Sequence, residues 1–200
     1  MKRNTSIDSV LKPLRDKPYQ AYLSNAVQVA DVLEWILEQV GEAEVWQTSF
    51  SISEEFLRRL FFIEKSGRVK AFHLVLDHKA TNKTLKLWAF ISQVIERTYL
   101  ADNHSKILLV KSNASDTVSP SGQQLGHSAV DEQALDCSRC TTVCVVTSQN
   151  LTRGNRSESA FITTDKEIFA TLHSQVDDLI SNHSVPLNDL FSQRISSDKP

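Results

Sequence analysis

Helix-period segments alternate with short β-like runs along this chain, and the alternation predicts an α/β fold: a mixed, largely parallel central sheet flanked by helices on both faces. A length of 200 residues fits a single domain with a sizeable core. The hydrophobic fraction of 40% is sufficient to fill that core, and no internal repeat points to a solenoid or propeller instead.

The first 25 residues are charged and broken by Pro13 and Pro18, so they read as an N-terminal arm laid over the surface. Asn25 is the expected cap of a helix over 26–40, where Val27, Val29, Ala30, Leu33, Ile36, Leu37 and Val40 recur at helical spacing and Gly41 stops it. A strand over 44–51 carries Val45, Trp46 and Phe50. Ser53 then opens a second helix that turns Leu57, Leu60, Phe61 and Phe62 inward and ends at Gly67. Next come a strand over 69–76, a helix over 82–97 with Leu85, Trp88, Ala89, Ile91 and Ile95 on one side, and a short extended piece at 98–100. Strands over 107–110, 141–147 and 157–163 precede a helix over 165–180. Trp35 and Trp88 are core positions, and Glu34, Glu38 and Glu42 form a solvated helix face. The domain therefore runs over 26–180, with a polar, Ser- and Gly-rich insert at 112–139 and a tail at 181–200 whose end is polar.

A net charge of −2 and a pI near 6.3 exclude an overall basic surface, so any polyanion site must be local. No apolar run approaches the roughly 20 residues of a membrane span, and MKRNTSIDSV lacks the apolar core of a secretory signal. The expectation is a cytoplasmic protein without a membrane partner. Cys137, Cys140 and Cys144, an odd and clustered set, fit free thiols. With His127 upstream they invite a zinc reading, but the CxxC lacks a second matching pair and Cys144 sits inside an apolar strand, so neither metal nor cofactor is expected.

The chemistry concentrates at two strand ends. His104-x-Lys106 heads the run HSKILLV, and Ser148-x-Asn150 ends the run TTVCVVTSQN. Residues two apart share a face of an extended chain, so each pair can converge on one anion. At this point the chain resembles the phospholipase D superfamily, whose signature is His-x-Lys, four residues, Asp, then a strand end of Gly-Ser-x-Asn. The matching positions are His104, Lys106, Ser148 and Asn150, followed by LTRGNR and the acid Glu158, within a likeness that spans roughly residues 26–180. Three departures stand out: Lys111 occupies the position of the Asp, Thr147 that of the Gly, and the insert lengthens the spacing between the motifs. Asp116 replaces the acid only if the insert folds back.

The resemblance implies metal-independent phosphodiester chemistry through a phosphohistidine, with one imidazole as nucleophile and a second as acid and base. Lys106, Asn150 and Ser148 would hold the non-bridging oxygens, and Glu158 would accept a hydrogen bond from His104 and fix its tautomer. One copy of the signature against two required imidazoles implies a homodimer; His73, His78, His127, His173 and His183 sit in no comparable frame. Arg153 and Arg156 extend the rim toward a nucleic-acid backbone, so a nuclease is expected. The competing expectation is a degenerate, inactive module that binds DNA or a partner protein through the same cleft.

Overall fold

The computed structural model describes residues 7–79, 87–95, 97–112, 141–152 and 156–190. Within them the order is a 3-10 turn Ile7–Ser9, β1 Tyr19–Ser24, α1 Val29–Val40, β2 Ala43–Ser49, α2 Glu54–Lys65, β3 Val69–Asp77, α3 Trp88–Val94, β4 Arg97–Ala101, β5 Ile107–Ser112, β6 Thr141–Thr147, β7 Glu158–Thr163, α4 Lys166–His183 and β8 Ser184–Pro186. The strands form one sheet in the order β1-β7-β6-β5-β2-β3-β4-β8.

The α/β class and the mixed sheet hold; the parallel bias does not. Only β2–β3 and β3–β4 run parallel, and the other five neighbouring pairs are antiparallel. The chain ends account for part of the difference. β1 closes one edge and β8 the other, so the domain takes in residues on both sides of the expected 26–180. The N-terminal segment is accordingly no surface arm: Leu11, Leu14 and Tyr22 are buried. The Gln20 carboxamide bonds Lys12 N at 2.9 Å, Lys12 O at 2.9 Å and Lys17 O at 3.0 Å, tying the proline-broken stretch to the edge strand. At the other end Leu187 is buried beyond β8.

Alternation along the strands divides the core between the faces. Val45, Leu108, Val110, Val143 and Val145 join α1, α2 and Ile91 of α3 on one face. Trp46, Leu109 and Cys144 meet Phe169 and Val176 of α4 on the other. Ser53 Oγ accepts from Phe56 N at 3.3 Å and so caps α2; Asp165 caps α4, taking Glu167 N at 2.9 Å and Ile168 N at 3.0 Å. Gly41 and Gly67, at φ 75°, turn the chain out of α1 and α2 with the positive φ that glycine tolerates. Helical phase corrects one assignment: Phe56, Leu57, Leu60 and Ile63 make the buried stripe of α2, and Phe61 and Phe62, at 37% and 69% exposure, fall outside it. Trp35 is in the core as expected, and the side chain of Trp88 lies outside the description. The Glu34, Glu38 and Glu42 stripe meets cations: Arg59 at 2.6 Å, Arg68 at 3.7 Å and Lys70 at 3.4 Å. Arg59 also reaches Asp31 at 2.6 Å, linking α1 to α2.

Leu60 is 1% exposed between α2 and the sheet. Leu60→Ala is expected to lower stability by about 2–5 kcal/mol, the transfer and cavity cost of such a truncation, read as a lower midpoint in denaturant.

On the α4 face, Trp46 stacks on His73 at 5.2 Å and meets His173 edge-on at 4.3 Å. Burial lowers the His73 pKa below its ordinary value; Glu44, hydrogen-bonded at 3.0 Å, and Asp177 oppose this, and Arg97 reinforces it. The unfolded chain therefore binds the proton more readily, so His73 contributes stability that is present above about pH 6.5 and lost as pH falls through the folded pKa. His73→Gln is expected to flatten the fall in Tm between pH 7 and pH 5, and an unchanged slope in thermal melts would refute this.

Candidate active site

The carboxyl ends of the parallel strands define one rim of the sheet, the usual position of ligands in open α/β sheets. β5 lies beside β2 rather than β4, so the connection at 102–106 must cross over the ends of β3 and β2. His104 and Lys106 ride on this crossing, just before β5 rather than within it. Phe50, directly after β2, packs its ring against the His104 ring at 5.1 Å.

The two side chains do converge. Lys106 Nζ donates to His104 O at 2.7 Å and lies 3.5 Å from His104 Nδ1. His104 is exposed and Lys106 half-buried. Burial lowers the Lys106 pKa, and the Glu158 carboxylate partly offsets the shift. The second strand end arrives next to it: Thr147 N donates to Lys106 O at 3.0 Å, extending the β5–β6 ladder by one residue and bringing Ser148 to the rim.

Asn150 is anchored to the end of β2. Its Oδ1 accepts from Phe50 N at 3.2 Å and Ser49 Oγ at 3.5 Å, which leaves Nδ2 as the donor available to an anion. Ser49 Oγ also accepts from Leu151 N at 3.0 Å, and Ser53 N donates to Leu151 O at 2.9 Å. The turn after β6 is thus interlocked with the entry to α2, and His104 and Asn150 share Phe50 as a neighbour.

Glu158 has a different partner from the one expected. Its carboxylate accepts from Ser148 Oγ at 2.5 Å, and no bond joins it to His104. The reason is topological: Glu158 starts β7, which adjoins the end of β6, and His104 lies a strand further on. Ser148 Oγ also accepts from Ser159 N at 3.0 Å, so the hydroxyl serves first as a link between β6 and β7. Glu158 and Asp31 add to the burial that pushes the Tyr22 phenol up to about 12.

Arg156 is exposed near this rim; Arg153, Asp116, His127, Cys137 and Cys140 lie outside the described residues. Lys111 stands well away from His104, opposite Glu44 on β2 and Thr142 on β6. The insert attaches at the far end as well, since Ser112 pairs with Thr141. Cys144 is a buried core residue whose thiol is pushed up to about 12 by burial. Among the described residues no group of three or more His, Cys, Asp and Glu side chains is arranged to hold a metal ion. A cleft of about 490 Å³ lined by Pro13, Leu14, Gln39, Val40, Thr141 and Thr164 opens at the opposite end of the sheet and includes none of the motif residues.

Several residues around the candidate site lie outside the motif. Gln149, between Ser148 and Asn150, accepts from Val29 N at 2.6 Å through Oε1 and donates from Nε2 to Gln28 Oε1 at 3.1 Å. That contact, with Asp31 accepting from Gln28 N at 2.6 Å, starts α1 at Val29 rather than after the expected cap Asn25. Asn103 carried a readable signal, since an Asn two residues before a polar N–H commonly forms an Asx turn, and its Oδ1 accepts from Ser105 N at 3.0 Å. The backbones of two further histidines lie near the same rim: His78, whose N bonds Ala101 O at 3.0 Å, and His183, next to the Ser184 that pairs with Ala101.

No protein-family model matches the chain, and no curated protein does. Among solved structures it is similar to TrmBL2, an archaeal chromatin protein described as showing a novel mode of DNA binding, with a TM-score of 0.46 and 9% identity. The likeness covers 84% of this chain and 54% of that one, so the chain spans about half the length of that protein. No described helix is long and apolar enough to cross a membrane.

Proposed function

We propose that this chain is a metal-independent phosphodiesterase of the phospholipase D type, acting on nucleic acid as a homodimer. The observation that carries the reading is the pairing of His104 and Lys106 on the crossing connection, with the Lys106 ammonium 3.5 Å from the imidazole and Asn150 anchored beside the same Phe50. In the first step an imidazole nitrogen of His104 attacks phosphorus; a P–N bond forms, the P–O bond to the leaving group breaks, and a second imidazole gives the leaving oxygen its proton. Water then attacks phosphorus, the P–N bond breaks, and the second imidazole takes up the water proton. Lys106 and Asn150 Nδ2 stabilise the charge on the non-bridging oxygens. The partner subunit's His104 supplies the second imidazole across a two-fold axis. Arg156 at the rim is a contact for the phosphate backbone.

A second reading is a module that binds DNA or a partner protein and does not cut. Its support is specific: the Ser148 hydroxyl is already committed to Glu158, and Lys111 reverses the charge of the motif acid.

The test is cleavage of a generic phosphodiester and of plasmid DNA in excess chelator, with association followed by sedimentation. Activity that rises with the dimer fraction and survives His78→Ala and His183→Ala supports the shared site. Activity of a monomer that His78→Ala or His183→Ala abolishes would move the second imidazole into the same chain. Folded protein that shifts DNA without cutting it supports the second reading.

A further inference from the structure

We infer that Thr48, Asp77, Asn103 and Ser105 are positioning residues for His104 and Lys106, an inference that rests on reading that pair as the reacting groups. Thr48, Asp77 and Asn103 are 0%, 3% and 5% exposed, and burying such polar side chains is unfavourable unless their hydrogen bonds are made. The bonds they make converge on the crossing connection. Asp77, the last residue of β3, accepts from Asn103 N at 2.9 Å through Oδ2 and from Lys79 N at 2.6 Å through Oδ1. Asn103 Oδ1 takes both Ser105 N at 3.0 Å and Ser105 Oγ at 2.5 Å. Thr48 Oγ1 meets Ser105 Oγ at 2.9 Å and accepts from Ile107 N at 2.9 Å.

Every residue flanking His104 and Lys106 is therefore gripped from beneath, by β3 on one side and β2 on the other. His104 and Lys106 alternate in sequence with the anchored Asn103 and Ser105, and His104 is exposed where Asn103 is buried. The connection would otherwise be a short loop with freedom to move, and a misplacement of about 1 Å is enough to cost on the order of 100-fold in rate. Thr48, Asp77 and Asn103 are buried beneath the connection, so they act through His104 and Lys106.

Thr48→Val removes the hydroxyl at nearly constant volume, and Thr48→Ser keeps it. In single-turnover cleavage, Thr48→Val is expected to lower kcat by about 10- to 100-fold per folded molecule with KM little changed, and Thr48→Ser to restore it. Leu60→Ala serves as the control for lost stability alone and should leave kcat per folded molecule at the wild-type value. Equal kcat for Thr48→Val and wild type would overturn the assignment. If the wild-type protein cuts nothing, the phosphodiesterase reading falls by itself, and the frame is then judged from the ring resonances of His104 in carbon-labelled protein. Displacement in Thr48→Val but not in Thr48→Ser upholds it; unchanged resonances in both defeat it.

Discussion

On the proposed mechanism, His104→Ala is expected to lower metal-independent phosphodiester cleavage by roughly 10⁴-fold or more, because it would remove both the nucleophile and, from the partner subunit, the group that handles the leaving-group proton. The residue is exposed, and its ring meets the Phe50 ring and the Lys106 ammonium at 3.5 Å. Its removal therefore leaves the fold intact, with a stability change within about 0.5 kcal/mol of wild type. That separation makes the measurement decisive: thermal melts that superimpose, together with rates that differ by four decades, assign the loss to chemistry. Cleavage within tenfold of wild type would remove His104 from the reaction. His104→Asn, which keeps a polar side chain of similar reach without a titratable nitrogen, should be as inactive as the alanine variant. A covalent phosphorus adduct trapped by acid quench on the wild-type protein, and absent from both variants, would report the P–N bond itself.

On the same mechanism, Lys106→Met is expected to reduce kcat by about 10²- to 10³-fold, the range for losing one charged or hydrogen-bonding group that stabilises developing negative charge. Methionine retains the apolar stem that lies half-buried at the head of β5, so the variant tests charge rather than packing. Lys106→Arg is not expected to rescue it. The ammonium donates to the His104 carbonyl at 2.7 Å, and a planar guanidinium has a different shape and donor geometry. The electrostatics add a pH signature with a definite sign. Burial pulls the Lys106 ammonium down and Glu158 raises it. Removing that carboxylate in Glu158→Gln lowers the Lys106 pKa further, so the alkaline limb of the activity profile should move to lower pH. A limb that stays in place or moves upward would show that Glu158 does not act on Lys106.

Local signals were legible where a residue satisfies its own neighbourhood. Ser53 and Asp165 cap α2 and α4 because each side chain reaches an N–H two or three residues ahead, a relation contained in a few consecutive letters. The runs that became β5, β6 and β7 announced themselves by apolar and β-branched content. The nearness of Lys106 Nζ to His104 is the closeness that spacing by two suggests, here on the connection before β5. Where the signal was ambiguous, phase decided: Phe61 and Phe62 are as apolar as Phe56, but only Phe56 falls on the stripe that meets the sheet.

The features that came from the tertiary structure involve partners far apart along the chain. Gln149 sets the start of α1 from 120 residues away. Strand order is of the same kind: β5 joins β2 rather than β4 and pairs with it antiparallel, and no periodicity encodes which edge a strand joins. That same choice sends the connection carrying His104 across the ends of β2 and β3, where Thr48 and Asp77 hold it. By itself the sequence determined the residue types of the candidate site and most of the helices and strands that carry them. The folded chain decided which strand ends meet, because a hydrogen bond between distant residues depends on the closure of the whole sheet and leaves no mark on the letters around either partner.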